Sequence, residues 1–248
     1  MAEGPGVSRQ NVYDQQLFFD RYQQMRQRDS GINLTVEQPA LRARLPALAG
    51  LHAIDLGCGD GQLSRDLAAG GAARVLGLDP SARMLDLAAA RTPAGTIRYV
   101  RAFAEDADLA AGCADLVVSS LAFHYIADLP GLLARISRWL RPDGRLVFSQ
   151  EHPIVTAAPQ LGRRPCIVEG YYDEGRRDTS WFVDDVRKYH RGLSTILSAV
   201  LAAGLVIEHV DEPAPTLELL NKRPDLELYR CRPSLLLITA RQPVAADC

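Results

Sequence analysis

Ala53-Ile54-Asp55-Leu56-Gly57-Cys58-Gly59-Asp60-Gly61 is the stretch on which the reading of this chain turns. An apolar run ends in an acid, a tight glycine-rich turn follows, and Gln62 to Ala69 has helical character. Asp79 lies 24 positions after Asp55 and closes a second apolar run, Arg74 to Leu78. An acid after strand one, a glycine turn and an acid after strand two form a nucleoside-binding layout.

Outward from this stretch, short apolar runs at 53–56, 74–78, 97–100, 115–118 and 145–149 suit strands buried on both faces of a parallel sheet. Helical patterns fall between them at Gln62–Ala69, Ser81–Arg91 (Ser81 as N-cap) and Leu129–Leu140, and Pro142-Asp143-Gly144 reads as a turn into strand five. This βα alternation predicts a doubly wound α/β sheet, with its ligand at the carboxyl ends of the strands. Upstream, residues 1–12 read as a disordered tail. Leu17, Phe18, Tyr22 and Met25 mark a helix over Tyr13–Arg28 that ends at Ser30-Gly31, and a second helix is expected from Val36 to about Leu48. Residues 151–191 read as an irregular insert rich in proline, glycine and aromatic residues. Beyond it the pattern gives a helix near Gly192–Ala203 and strands at Leu205–Val210 and Ser234–Thr239.

At 248 residues the chain is long enough for one large core, and its hydrophobic fraction of 47% is ordinary for a globular protein. A formal net charge of −2 gives no argument for nucleic acid or an anionic membrane. The five cysteines, Cys58, Cys113, Cys166, Cys231 and Cys248, form no C-x-x-C pair, which suits a reduced cytoplasmic setting. The opening Met1-Ala2-Glu3-Gly4-Pro5 lacks the basic start and apolar core of a signal peptide.

The glycine turn is G-x-G-x-G, with Gln62 where a dinucleotide fingerprint carries its third glycine. Asp55 beside the turn would repel a pyrophosphate and suits a cationic amino group, while Asp79 suits ribose hydroxyls. S-adenosylmethionine (SAM), with an ammonium, a sulfonium, a free carboxylate and an unphosphorylated ribose, meets these demands. In Asp55-x-Gly57-x-Gly59-x-Gly61, Asp79, Ala104-Glu105-Asp106 and Ser119-Ser120-Leu121-Ala122-Phe123-His124, the chain resembles the class I SAM-dependent methyltransferases. The resemblance covers 50–150 well and 190–240 by pattern. Phe103 stands where many relatives carry an aspartate, two positions before Glu105.

The resemblance implies a seven-stranded Rossmann-like sheet in one domain over 13–248: a helical lid at 13–48, a SAM-binding core at 49–150, a substrate-lid insert at 151–191 and the rest of the sheet at 192–248. It implies a cofactor site of Asp55, Gly57, Gly59, Gly61, Asp79, Met84, Ala104, Glu105 and Ser119, with S-adenosylhomocysteine as product. His124 past strand four and Glu151 past strand five lie where the methyl group should point. His124 is a candidate base near neutrality, and Glu151 could orient the acceptor, take its proton or stabilise developing charge. Tyr22 joins them as a catalytic candidate. Tyr13, Arg26, His152, Trp181 and Tyr189 are candidate substrate contacts, with Phe19, Tyr171, Tyr172 and His190 as further lid or wall positions. No third ligand accompanies Glu151-His152, so no metal is expected.

The aromatic lid suits a flat small-molecule acceptor such as an indole ring methylated on carbon, with oxygen or nitrogen acceptors of other metabolites as alternatives. Ser119-Ser120-Leu121-Ala122 replaces the N-P-P-Y pattern of nucleic-acid base methylation, so no nucleic-acid partner is expected, nor a membrane. A monomer or homodimer fits equally. Two competing functions stay open: a nicotinamide-dependent oxidoreductase, for which a Tyr-x-x-x-Lys pair is missing, and a non-catalytic SAM-binding module.

Overall fold

The computed structural model describes residues 9–27, 31–157 and 168–244. Its first elements are a short 3-10 turn at Val12–Asp14, α1 (Gln16–Gln27), one π-helical turn at Asn33–Glu37 and α2 (Gln38–Ala43). The alternating core follows: β1 (His52–Leu56), α3 (Gln62–Ala69), β2 (Arg74–Asp79), α4 (Ala82–Arg91), β3 (Ile97–Arg101), β4 (Ala114–Ser119), α5 (Leu129–Trp139) and β5 (Leu140–Glu151). After α6 (Pro153–Ala157) come β6 (Gly175–Trp181), β7 (Val183–His190), α7 (Leu193–Ala202), β8 (Val206–Asp211), α8 (Leu217–Lys222) and β9 (Leu235–Arg241).

Seven strands form one sheet in the order β3-β2-β1-β4-β5-β9-β8, with β1 to β5 parallel and β9 antiparallel to both neighbours. This is the doubly wound arrangement expected from the apolar runs. The order reverses between β1 and β4, which opens a crevice at their carboxyl ends. One face packs on α5 and α7 through Phe123, Leu133, Trp139 and Val200; the other packs on α2 and α3 through Leu41, Leu63 and Leu67. A third cluster, separate from both, joins Val12 and Phe18 to Val186, with Tyr13, Tyr22, Tyr125 and Trp181 around them.

Ser81 caps α4 as expected, its hydroxyl accepting from Met84 N. Four expectations need correction. Residues 1–8 lie outside the described residues, but 9–12 are not a loose tail: Val12 is buried in the third cluster. The second helix ends at Ala43, not Leu48, because Pro46 disfavours helical geometry at Leu45. Pro142-Asp143-Gly144 does not start β5 but makes a bulge within it, with Asp143 at φ +67 and a register slip against β4. The insert is not irregular where it is described. It holds α6 and a hairpin of β6 and β7, with Phe182 in the left-handed region at φ +61 in the turn. Of the first helix's expected end, Arg28 and Ser30 lie outside the described residues, and Gly31 follows at φ +103.

Candidate functional site

A cavity of about 570 Å³ opens at the crevice, bounded by the ends of β1, β2, β4 and β5, the N-terminal segment and the β6–β7 hairpin. Its floor is the glycine turn. Gly57 and Gly61 both have positive φ. A Cβ on Gly57 would sit 2.6 Å from the Ala122 side chain, and one on Gly61 would land on the Tyr99 hydroxyl. Only bare backbone lets this turn pass between β4 and α4 and leave room above it.

Asp55 is 1% exposed at the end of β1 and accepts from Ser64 Oγ at 2.6 Å. Burial, with Asp79 nearby, pushes its carboxyl up to about 7, although the Ser64 hydroxyl pulls the other way. Asp79 accepts from Gly59 N at 2.9 Å and Ser81 N at 2.8 Å; burial still moves it up to about 6. Two buried acids at one end of the cavity call for a cationic ligand. Met84 is fully buried at the rim, and Ala104 and Glu105 follow β3 in a short turn that also lines the space. Ser119 lines it too, but its hydroxyl donates to the Leu56 carbonyl at 2.8 Å and ties β4 to β1.

On the far side, Tyr13 stands edge-on to Tyr22 (5.2 Å between ring centres), and Tyr22 stands edge-on to Trp181 (6.1 Å). Burial pushes the Tyr22 phenol up to about 12 and Tyr13 well above its usual value, so both are hydroxyl donors at neutral pH. Arg26 also lines the cavity and donates to Asn33 Oδ1. Glu151 lies 2.6 Å from Lys188 Nζ. Burial works against its charge, but Lys188 holds the carboxyl below its usual range. Lys188 also sits over the Trp181 ring, 5.6 Å from its centre.

His124 is not a base near neutrality. Burial lowers it to about 4 against the pull of Glu151, and its Nδ1 accepts from Glu151 N at 3.3 Å. A neutral ring with Nδ1 accepting carries its proton on Nε2, so this histidine is a donor. His152 does not line the cavity; it is buried directly after β5, with Nε2 2.8 Å from Glu212. Alternation along β7 puts Lys188 toward Glu151. Tyr189 lines the cavity, whereas His190 is turned inward to Thr156 Oγ1 (2.7 Å) and the Tyr171 carbonyl. Tyr172 is 93% exposed and Phe19 packs under Arg83, so neither is a wall.

Several site residues escaped sequence reasoning. Lys188 stands in the string Lys188-Tyr189-His190-Arg191, where no local pattern points to its pairing with Glu151. Asp14 accepts from Ser81 Oγ (2.7 Å) and Arg83 N (3.2 Å) at the start of α4, and Asn11 Nδ2 donates to the Pro80 carbonyl (3.1 Å). These contacts fasten the N-terminal segment beside Asp79, and nothing local in the sequence announces them. Among the described residues no cluster of His, Cys, Asp and Glu has the makings of a metal site, and no helix is long and apolar enough to cross a membrane.

Comparison with known proteins gives this geometry its family. A family described as "Methyltransferase domain" matches residues 54–148. A crystal structure of an S-adenosylmethionine-dependent methyltransferase from Mesorhizobium loti is 41% identical, covers 86% of this chain and 99% of its own, and superposes with a TM-score of 0.79. An uncharacterized protein of Haemophilus influenzae is 35% identical over 94% of this chain and 97% of its own. A malonyl-[acyl-carrier protein] O-methyltransferase of Pectobacterium atrosepticum is 37% identical over 131 residues, 53% of this chain and 47% of that one.

The chain belongs to the class I SAM-dependent methyltransferases. It is a SAM-dependent enzyme, and the oxidoreductase reading falls. The glycine floor, the acid pair and the buried Met84 fit SAM: Asp55 suits its ammonium, Asp79 its ribose hydroxyls, and the bare turn gives it space.

Proposed function

We propose that the chain methylates a small, flat aromatic acceptor, with an indole carbon as the concrete case. The observation that carries this reading is the convergence of Tyr13, Tyr22 and Trp181 on the same space as the Glu151–Lys188 pair. Bound SAM supplies an electrophilic methyl group on a sulfonium. The chain's part is to hold, align and exclude water, because positive charge disperses as the methyl group moves. Asp55 and Asp79 hold the donor. Tyr13, Tyr22 and Trp181 clamp the acceptor ring, Tyr189 closes its edge and Arg26 its far corner. Glu151, kept ionised by Lys188, accepts a hydrogen bond from the ring N–H and stabilises charge building on the ring. The His124 Nε2 proton offers a further donor.

A second reading has its own observation. Arg26, Arg187, Lys188 and Arg232 all line the cavity, which favours an acceptor with a carboxylate, methylated on oxygen; the partial likeness to a malonyl-carrier O-methyltransferase points the same way. Incubation with SAM and a panel of tryptophan-derived and carboxylic acid acceptors separates the two by mass spectrometry. A product whose added methyl resists mild base supports ring methylation, a base-labile ester supports the second reading, and no product with any indole refutes the first.

A further inference from the structure

Where the N-terminal segment meets the sheet, two polar residues are buried side by side: Glu37 is 1% exposed and Gln38 is 5% exposed. A carboxylate taken from water needs donors, and Glu37 has four. Its Oε1 accepts from Ser149 Oγ at 2.5 Å and Ser120 Oγ at 3.0 Å; its Oε2 accepts from Asn33 Nδ2 and Gln38 Nε2, both at 2.9 Å. The second proton of Gln38 Nε2 goes to Ser120 Oγ at 2.8 Å.

This network fixes which way the Gln38 amide faces. Reversing it would set the amide oxygen against the Glu37 carboxylate and lose both donations. Gln38 Oε1 therefore points away from Glu37. It is buried, it has no hydrogen-bond partner among the described residues, and Gln38 lines the cavity. A buried acceptor left open is costly, and it is tolerated where a ligand completes it.

The position selects the ligand group. Ser120 follows β4, which pairs with β1 beside Asp55, and Ala122 lies against Gly57. Asp79, Met84 and Ala104, where the nucleoside belongs, lie across β2 and β3 on the other side of the glycine turn. Gln38 thus serves the half of the site that holds the donor's amino-acid tail.

We propose that Gln38 Oε1 accepts a hydrogen bond from the α-ammonium of the methyl donor, with Glu37 as the positioning residue that fixes the amide. The inference rests on the SAM-binding half of the site and not on the aromatic acceptor. It is tested without any acceptor present, so it fails or stands separately from the proposed substrate.

The test is a binding cycle by calorimetry with S-adenosylhomocysteine, its deaminated analogue and 5′-methylthioadenosine, which lacks the tail. Wild-type protein is expected to bind S-adenosylhomocysteine about tenfold more tightly than the deaminated analogue. Gln38→Met is expected to lose part of that factor for S-adenosylhomocysteine, the rest belonging to Asp55, while its affinity for the other two stays within about twofold. Retained 5′-methylthioadenosine binding reports that the fold is intact. Should Gln38→Met bind none of the three compounds, Gln38→Asn, which keeps the amide but draws it back, carries the same cycle. Equal losses for S-adenosylhomocysteine and its deaminated analogue, or no loss for either, overturn the proposal.

Discussion

Replacing Asp55 by asparagine should make the ligand-free protein more stable at pH 8 and weaken its hold on the cofactor product. An ordinary aspartate of pKa 3.8 is pushed by burial to about 7 in the folded chain. That rise corresponds to about 4 kcal/mol. Below pH 4 the carboxyl is protonated in both the folded and unfolded chains, and the raised pKa costs nothing. As pH rises toward 7 the unfolded chain releases this proton while the folded chain keeps it, so stability falls with pH. Above 7 the penalty is complete. Asparagine keeps an oxygen for the Ser64 hydroxyl and carries no charge, so the variant escapes the penalty. At about 2–4 °C per kcal/mol, its melting temperature at pH 8 should exceed that of the wild type by about 8–16 °C, with the gain gone by pH 4. The same buried charge should strengthen the binding of a cationic ligand. Thermal denaturation of both proteins across pH 4–8.5, with and without S-adenosylhomocysteine, reads both effects. Parallel pH profiles for wild type and variant, or an undiminished ligand-induced shift in the variant, would refute the reasoning.

Lys188→Met should destabilise by leaving the half-buried Glu151 without its cation, by less than the about 3–5 kcal/mol of a fully buried pair. Glu151 would then titrate above its usual range, so urea denaturation should find the variant weaker at pH 8 than at pH 5. Gly61→Ala forces a side chain onto Tyr99 at a φ of +76, and should lose about 2–4 kcal/mol in the same assay. Phe18→Ala removes a fully buried ring held against Tyr13 and Trp181, with an expected loss of about 3–5 kcal/mol. Circular dichroism melts would check it, and an unchanged melting temperature would mean that the third cluster does not stabilise the fold.

The parts of the fold that were legible are those whose signal is local. β1, the glycine turn and α3 follow one another within 18 residues (52–69), and each has its own chemistry: an apolar run, positive-φ glycines and a helical face. Ser81 announces α4 because a cap acts within a single turn. The hairpin was illegible because β6 is charged and only half-buried, on alternate residues, and because its turn places Phe182 where glycine or asparagine is expected. Of the candidate site, residue identity predicted the acids and glycines. The low pKa of His124 and the ion pair of Glu151 depend on burial and on a partner 37 residues away. Gln38 reaches the site through Ser120, a separation of 82 residues, and no pattern in α2 marks it.

Phe18 from α1 and Trp181 with Val186 from the hairpin share one cluster, although more than 160 residues separate them in the chain. The roof over the cavity is therefore a seam between two stretches that lie far apart in the chain. A substitution on one side of the seam should loosen its fit to the other. Chimeras that exchange residues 9–27 together with 168–190 between relatives should keep the seam matched and melt higher than those that exchange either stretch alone. Library designs for altered substrates would do best to vary Phe18, Tyr22, Trp181 and Val186 as one linked set.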